Sequence, residues 1–157
     1  MDPSQPADAL DLKGLPPRLR HLRQRIATAA RTAFRVHAVR TYAVSITFTG
    51  DREIAGLNRR FLGRTGPTDV IAFNLSEAGL PYEVVGDVYI SLDRARASSK
   101  TFKVGASEEI VRLVVHGVLH LVGYRDDGAV RRRKMESVQE EILRKALPRK
   151  RRAADAG

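Results

Sequence analysis

His116 and His120 stand four residues apart, so on a helix their side chains project from one face about a turn from each other, the separation that lets two imidazoles reach one metal ion. The stretch continues Leu121-Val122-Gly123-Tyr124-Arg125-Asp126. Gly123 can end the helix and turn the chain, which brings residue 126 back over the pair. The spacing H-x-x-x-H-x-x-G-x-x-ligand is that of the metzincin-type zinc site, with Asp126 at the position of the third ligand. The chain has no cysteine, so a transition-metal site must be built from histidine and carboxylate. A zinc ion held by His116, His120 and Asp126 would keep an open position, as catalytic sites do. In H-E-x-x-H metalloproteases the residue after the first histidine is the glutamate that serves as general base. Here it is Gly117, and Glu108 and Glu109 lie about two turns away, which argues against that protease mechanism.

The elements that must position these residues follow from patterning. Ser107, Glu108 and Glu109 read as a helix start, with Ser107 at the cap and negative charge in the first turn. From Ile110 to Val122 the helix is apolar on nearly every face and is predicted to be buried. Upstream, Pro16-Pro17 precede Leu19, Leu22, Ile26, Ala29, Ala33 and Val36 at helical spacing, one amphipathic helix from Arg18 with an arginine-rich outer face and with His21 and His37 as ordinary polar residues. Tyr42 to Phe48 and Val84 to Ile90 alternate as strands, and Val70 to Phe73 reads as a buried strand. Asp51 and Asp93 are predicted to cap two short helices, the first lined by Ile54, Leu57 and Phe61 and the second running through Phe102; Gly63 to Pro67 is a loop and Gly79-Leu80-Pro81 a turn. Met135, Val138, Ile142 and Ala146 mark a last amphipathic helix. Patterning thus gives a single domain of strands interleaved with helices. Residues 1–17 are expected to be a mobile N-terminus, with Leu10 and Leu12 able to form a short edge strand, residues 18–147 the folded domain, and residues 148–157 a basic flexible tail.

Several of these segments together resemble the YbeY family of bacterial endoribonucleases that mature ribosomal RNA. His116 to Tyr124, HGVLHLVGY, is similar to its signature; Leu57-Asn58 with Phe61, followed by Pro67-Thr68-Asp69-Val70-Ile71-Ala72-Phe73, is similar to its L-N…P-T-D-V-L-S-F block. Gly86 to Asp93 is similar to its G-D-I-x-I-S block, and Met135 with Gln139-Glu140-Glu141-Ile142-Leu143 to its M-x-x-x-Q-E-x-I-L helix. The resemblance implies a single α+β domain with a small mixed sheet of about four strands packed with helices, one of them a zincin-like metal-binding helix. Residues 18–147 would then be a metal-dependent hydrolase domain with a zinc-bearing cleft that cleaves single-stranded RNA, acting on the 3′ end of small-subunit ribosomal RNA and in ribosome quality control. Two positions depart from the family. Its third ligand is histidine where this chain has Asp126, whose charge makes the centre less positive. Its arginine after the aromatic of the L-N block is Leu62 here, flanked by Arg59, Arg60 and Arg64, which could contact phosphate.

With 157 residues and a formal net charge of +10, the chain suits polyanionic partners in general; the resemblance implies that these are ribosomal RNA and the small ribosomal subunit. Arg131, Arg132, Arg133 and Lys134 beside the metal-binding helix are candidates for nucleic-acid contact, and Arg149 to Arg152 add charge in the tail. Leu113 to Tyr124 is too short for the roughly 20 apolar residues of a membrane span. Without a secretory signal or cysteine, the sequence predicts a cytoplasmic protein with no membrane and no disulfide-linked partner. A non-enzymatic alternative is an RNA- or ribosome-binding module with a structural metal, which would need a closed four-ligand site.

Overall fold

In the computed structural model, residues 8–76, 82–102 and 104–147 are described, and the basic tail at 148–157 and the Gly79–Pro81 turn lie outside them. The elements run β1 (Asp8–Lys13), a 3-10 turn (Pro17–Leu22), α1 (Arg23–Val36), β2 (Thr41–Thr49), α2 (Asp51–Leu62), β3 (Val70–Asn74), β4 (Glu83–Ser91), α3 (Leu92–Phe102), α4 (Ala106–Leu121) and α5 (Ala129–Ala146). The four strands form one mixed sheet in the order β1-β2-β4-β3, parallel except for β3 against β4. The edge-strand reading of Leu10 and Leu12 corresponds to β1, which pairs Asp8 to Lys13 with Tyr42 to Thr47. The chain from Asp8 is therefore part of the sheet and not a mobile leader.

Alternation along the strands sets the two faces. Tyr42, Val44, Ile46 and Phe48 of β2 and Val84, Val88 and Ile90 of β4 are buried, and they face α1 and α4, which share a core of Ile26, Ala29, Ala33, Phe34, Val111, Val114, Val118 and Leu121. The opposite face, with Ser45, Asp87 and Tyr89, is half-buried. In β3 only Ile71 is buried, because an edge strand lacks a neighbour on one side.

The helix starts differ from the local expectation. The predicted first helix begins as a 3-10 turn, and only Arg23 onward is α-helical. Gly50 and Gly105, in extended conformations, are the N-caps of α2 and α4, one residue before Asp51 and two before Ser107, the caps predicted from side-chain type. Asp51 instead accepts from Ser91 Oγ (2.7 Å) and Arg94 Nε (3.2 Å), and Asp93 Oδ2 accepts the Asp51 N–H at 2.9 Å. The donors at the start of α2 are thus met from across the fold by the β4–α3 junction, while Ser91 Oγ caps α3 through the Arg94 N–H.

Arg112 on α4 clamps α5. It donates to Glu140 (2.7 Å from Nε), Glu109 (3.2 Å) and Glu108 (3.1 Å). The Arg112 hydrogen bond holds the Glu140 carboxyl below the usual carboxylate range against the opposing effect of burial. A depressed carboxylate contributes stability above its unfolded pKa that is lost as pH falls through the folded one. Wild type should therefore lose stability below about pH 4.3, the ordinary glutamate value, and Glu140→Gln should lose less over the same interval, as read by urea midpoints across that range.

Candidate metal centre

α4 is buried on the sheet side by Gly117, where an added Cβ would lie 2.5 Å from Val88 Cγ1 and 3.1 Å from Val70 Cγ1. A side chain acting as general base has no room there, so the metalloprotease reading has no residue to carry it. The turn after α4 relies on Gly123, whose φ of +108° favours glycine. Its N–H bonds His120 O at 3.1 Å and the Tyr124 N–H bonds Leu119 O at 3.0 Å. Asn74 Nδ2 from the end of β3 donates to Leu121 O at 2.9 Å, tying the helix end to the sheet.

This turn brings Asp126 to the histidine pair. His116 Nε2 and His120 Nε2 are 3.2 Å apart, and Asp126 Oδ2 is 3.5 Å from each. Among the described residues these three form the group whose ligand atoms converge within 4.8 Å. Ligands about 2.0–2.1 Å from a tetrahedral ion stand about 3.3 Å from one another, so the three separations fit one ion with a fourth position open.

The tautomers make the same point. His116 donates from Nδ1 to Gln139 Oε1 at 2.9 Å, and His120 donates from Nδ1 to the Tyr124 carbonyl at 3.0 Å. Both Nε2 lone pairs then point at each other and at a carboxylate. Burial, and next the neighbouring His116, lower the His120 pKa, which favours the neutral ring that a metal ligand requires. Three acceptors with no donor between them repel one another unless a cation joins them.

Two supporting residues escaped the sequence reading. Gln139 appeared only within the family-like helix block, and its role needs α5 packed on α4. His37, read as an ordinary polar residue, donates from Nδ1 to Ala33 O (2.7 Å) and accepts from Tyr124 Oη (2.9 Å), so the end of α1 holds the residue whose carbonyl orients His120. The Tyr124 ring also packs edge-on to His37. Outer hydrogen bonds to metal-bound histidines are worth 10–100-fold in affinity. Gln139→Leu should weaken zinc binding by about that factor in a competition titration.

The arginine candidates, and the polar residues Asp87 and Ser76 on and beside the sheet, lie elsewhere. Asp87 alternates with Val88, so it faces away from α4 and accepts from Ser45 Oγ at 2.6 Å. Ser76 bonds Val85. Arg59, Arg60 and Arg64 are exposed and outside the contacts of the triad; Arg60 lies over Phe61 and lines, with Arg52, Leu57 and Tyr89, a hollow of about 610 Å³. Arg131, Arg132, Arg133 and Lys134 are exposed on the first turns of α5, where Arg131 pairs with Asp127 at 3.0 Å and holds that carboxyl low.

A family model described as endoribonuclease YbeY matches residues 13–147. The chain belongs to the YbeY family. Among YbeY relatives, the endoribonuclease YbeY of Syntrophus aciditrophicus is 36% identical over 112 residues, covering 69% of this chain and 68% of that protein. The one of Persephonella marina is 39% identical over 103 residues, covering 64% and 67%. The one of Halalkalibacterium halodurans is 37% identical over 113 residues, covering 66% and 71%. The solution structure of TM1509 from Thermotoga maritima matches with a TM-score of 0.58 at 23% identity, over 87% of this chain and 90% of that one, a likeness of fold.

Proposed function

We infer that this YbeY chain is a metal-dependent endoribonuclease that cleaves single-stranded RNA, with ribosomal RNA of the small subunit as its substrate, zinc as its metal and the cytoplasm as its place of action. The observation that carries this reading is the convergence of His116 Nε2, His120 Nε2 and Asp126 Oδ2, with separations of 3.2, 3.5 and 3.5 Å, in a member of a family described as endoribonucleases. Bound there, a zinc ion supplies an electrophile for the phosphoryl group under attack. The protein does the rest by holding groups in place. Gln139 and the Tyr124 carbonyl retain the Nδ1 protons, so both Nε2 atoms stay available; Gly117 lets α4 sit against Val88; Asp126 contributes charge that partly neutralises the ion. Arg59, Arg60 and Arg64 have no carboxylate partner among the described residues, and they are the groups proposed to stabilise charge on the phosphoryl oxygens. Arg131 to Lys134, immediately after the third ligand, are proposed to hold RNA near the centre. Three ligands among the described residues leave a coordination position free, which favours a reactive centre over a closed structural one. No helix among the described residues is long and apolar enough to cross a membrane.

The test is metal analysis of purified protein together with cleavage of a labelled single-stranded RNA before and after chelation. About one zinc per chain and cleavage that is lost with the chelator and restored by zinc are expected. Cleavage of equal rate in metal-free protein would overturn the reading, and cleavage of casein would revive the protease.

A further inference from the structure

On the edge of the sheet opposite β3, the 3-10 turn and α1 run beside β1 and leave a groove of about 430 Å³. Its lining is of two kinds. Leu10, Leu12 and Ala27 form an apolar floor, and Arg20, Arg23 and Arg31 are exposed around it. Among the described residues none of these three guanidiniums makes an ion pair, whereas Arg94, Arg112, Arg125 and Arg131 all do. Positions 20, 23 and 31 recur at helical spacing on one side of the turn and helix, so the charges form a stripe and not a scattered surface. At about 2.0 Å per residue through the 3-10 turn and about 1.5 Å along α1, that stripe extends roughly 18 Å, more than one phosphate contact requires. The far end of α1 carries His37, which touches Tyr124 of the metal-binding turn, so the stripe leads from the sheet edge toward the metal end of the molecule.

An apolar floor flanked by unpaired guanidiniums matches a single nucleic-acid strand, whose sugars and bases are partly apolar and whose phosphates repeat along its length. We propose that the β1–α1 groove is a second RNA-binding surface, tracking the phosphates of a single strand whose other part lies at the metal centre. This rests on the endoribonuclease reading. The groove supplies affinity and register without touching the reacting phosphate, and with arginines in place of base-reading contacts it is indifferent to sequence.

The test is fluorescence anisotropy of a labelled oligouridine across a range of salt, with chelator present so that binding is read without cleavage. The triple variant Arg20→Gln, Arg23→Gln, Arg31→Gln removes three phosphate partners. The slope of log K against log salt should become shallower by about 2, since each contact to a single strand contributes about 0.7. Affinity near 0.1 M salt should fall by about tenfold or more. A control with the same charge change at Arg18, Arg25 and Lys100, exposed residues outside the groove lining, should change the slope by less than half as much. Equal slopes for the two triple variants would overturn the proposal, because only diffuse charge would then be at work. A duplex that loses affinity as much as the single strand would overturn the assignment of the groove to a single strand. A wild-type protein that cleaves RNA while the groove variant binds like wild type would refute the groove alone; a wild-type protein that neither binds nor cleaves would refute the endoribonuclease reading with it.

Discussion

His116→Ala is expected to lose stoichiometric zinc and to cleave RNA at least about 100-fold more slowly than wild type, because even outer hydrogen bonds to metal ligands are worth 10–100-fold and this change removes a ligand itself. Only His120 and Asp126 would remain, one fewer than the three protein ligands of catalytic zinc sites. His116 is only half-buried, with 23% of its side chain exposed, so the fold should survive the truncation. The partner measurement is Asp126→His, which restores the ligand type of the family and should keep its zinc. If both variants lost metal and activity alike, damage to the turn after α4 would be the simpler cause; loss in the first with retention in the second assigns the effect to coordination. Cleavage at the wild-type rate by His116→Ala would remove the triad from the reaction.

The second large effect is expected from Gly117→Ala. A methyl group there would meet Val88 Cγ1 at 2.5 Å, a distance that requires something to shift, and Val88 is fully buried with nowhere to go. Overpacking of this kind costs about 1–3 kcal/mol. Replacing glycine by alanine inside a helix returns about 1 kcal/mol. The contact should win, leaving a net loss of up to about 2 kcal/mol in urea unfolding. Because α4 carries both histidines, its displacement from the sheet should also weaken zinc binding. A variant more stable than wild type would mean that the helix propensity term dominates and that the α4–sheet contact has slack.

The sequence was informative where chemistry and periodicity are local. The His116–His120 spacing, the stop at Gly123 and the arrival of Asp126 all lie within eleven residues, and helix geometry alone relates them. The strands of the sheet's centre were equally legible, because Tyr42 to Phe48 and Val84 to Ile90 alternate in response to one buried and one open face. Local rules misled at the helix starts. Asp51 and Ser107 have the right side chains for caps, but the chain turns into each helix earlier, at Gly50 and Gly105, and the α2 donor is met by Asp93 from another element.

What the sequence by itself determined is the candidate ligand set and the class of fold: with no cysteine, two histidines one turn apart and a carboxylate past a glycine turn are the groups able to hold a transition metal together. Only the tertiary structure decided how those groups are made into ligands. Gln139 reaches His116 from 23 residues away and His37 reaches Tyr124 from 87 away, contacts that exist because α1, α4 and α5 pack against one another. Hydrogen bonds between distant elements leave no period in a sequence, since their spacing is set by packing and not by the pitch of any one helix or strand. The same holds for the charge: a net +10 is visible in composition, but that Arg20, Arg23 and Arg31 flank one groove while Arg112 is spent on three glutamates follows from which elements lie side by side.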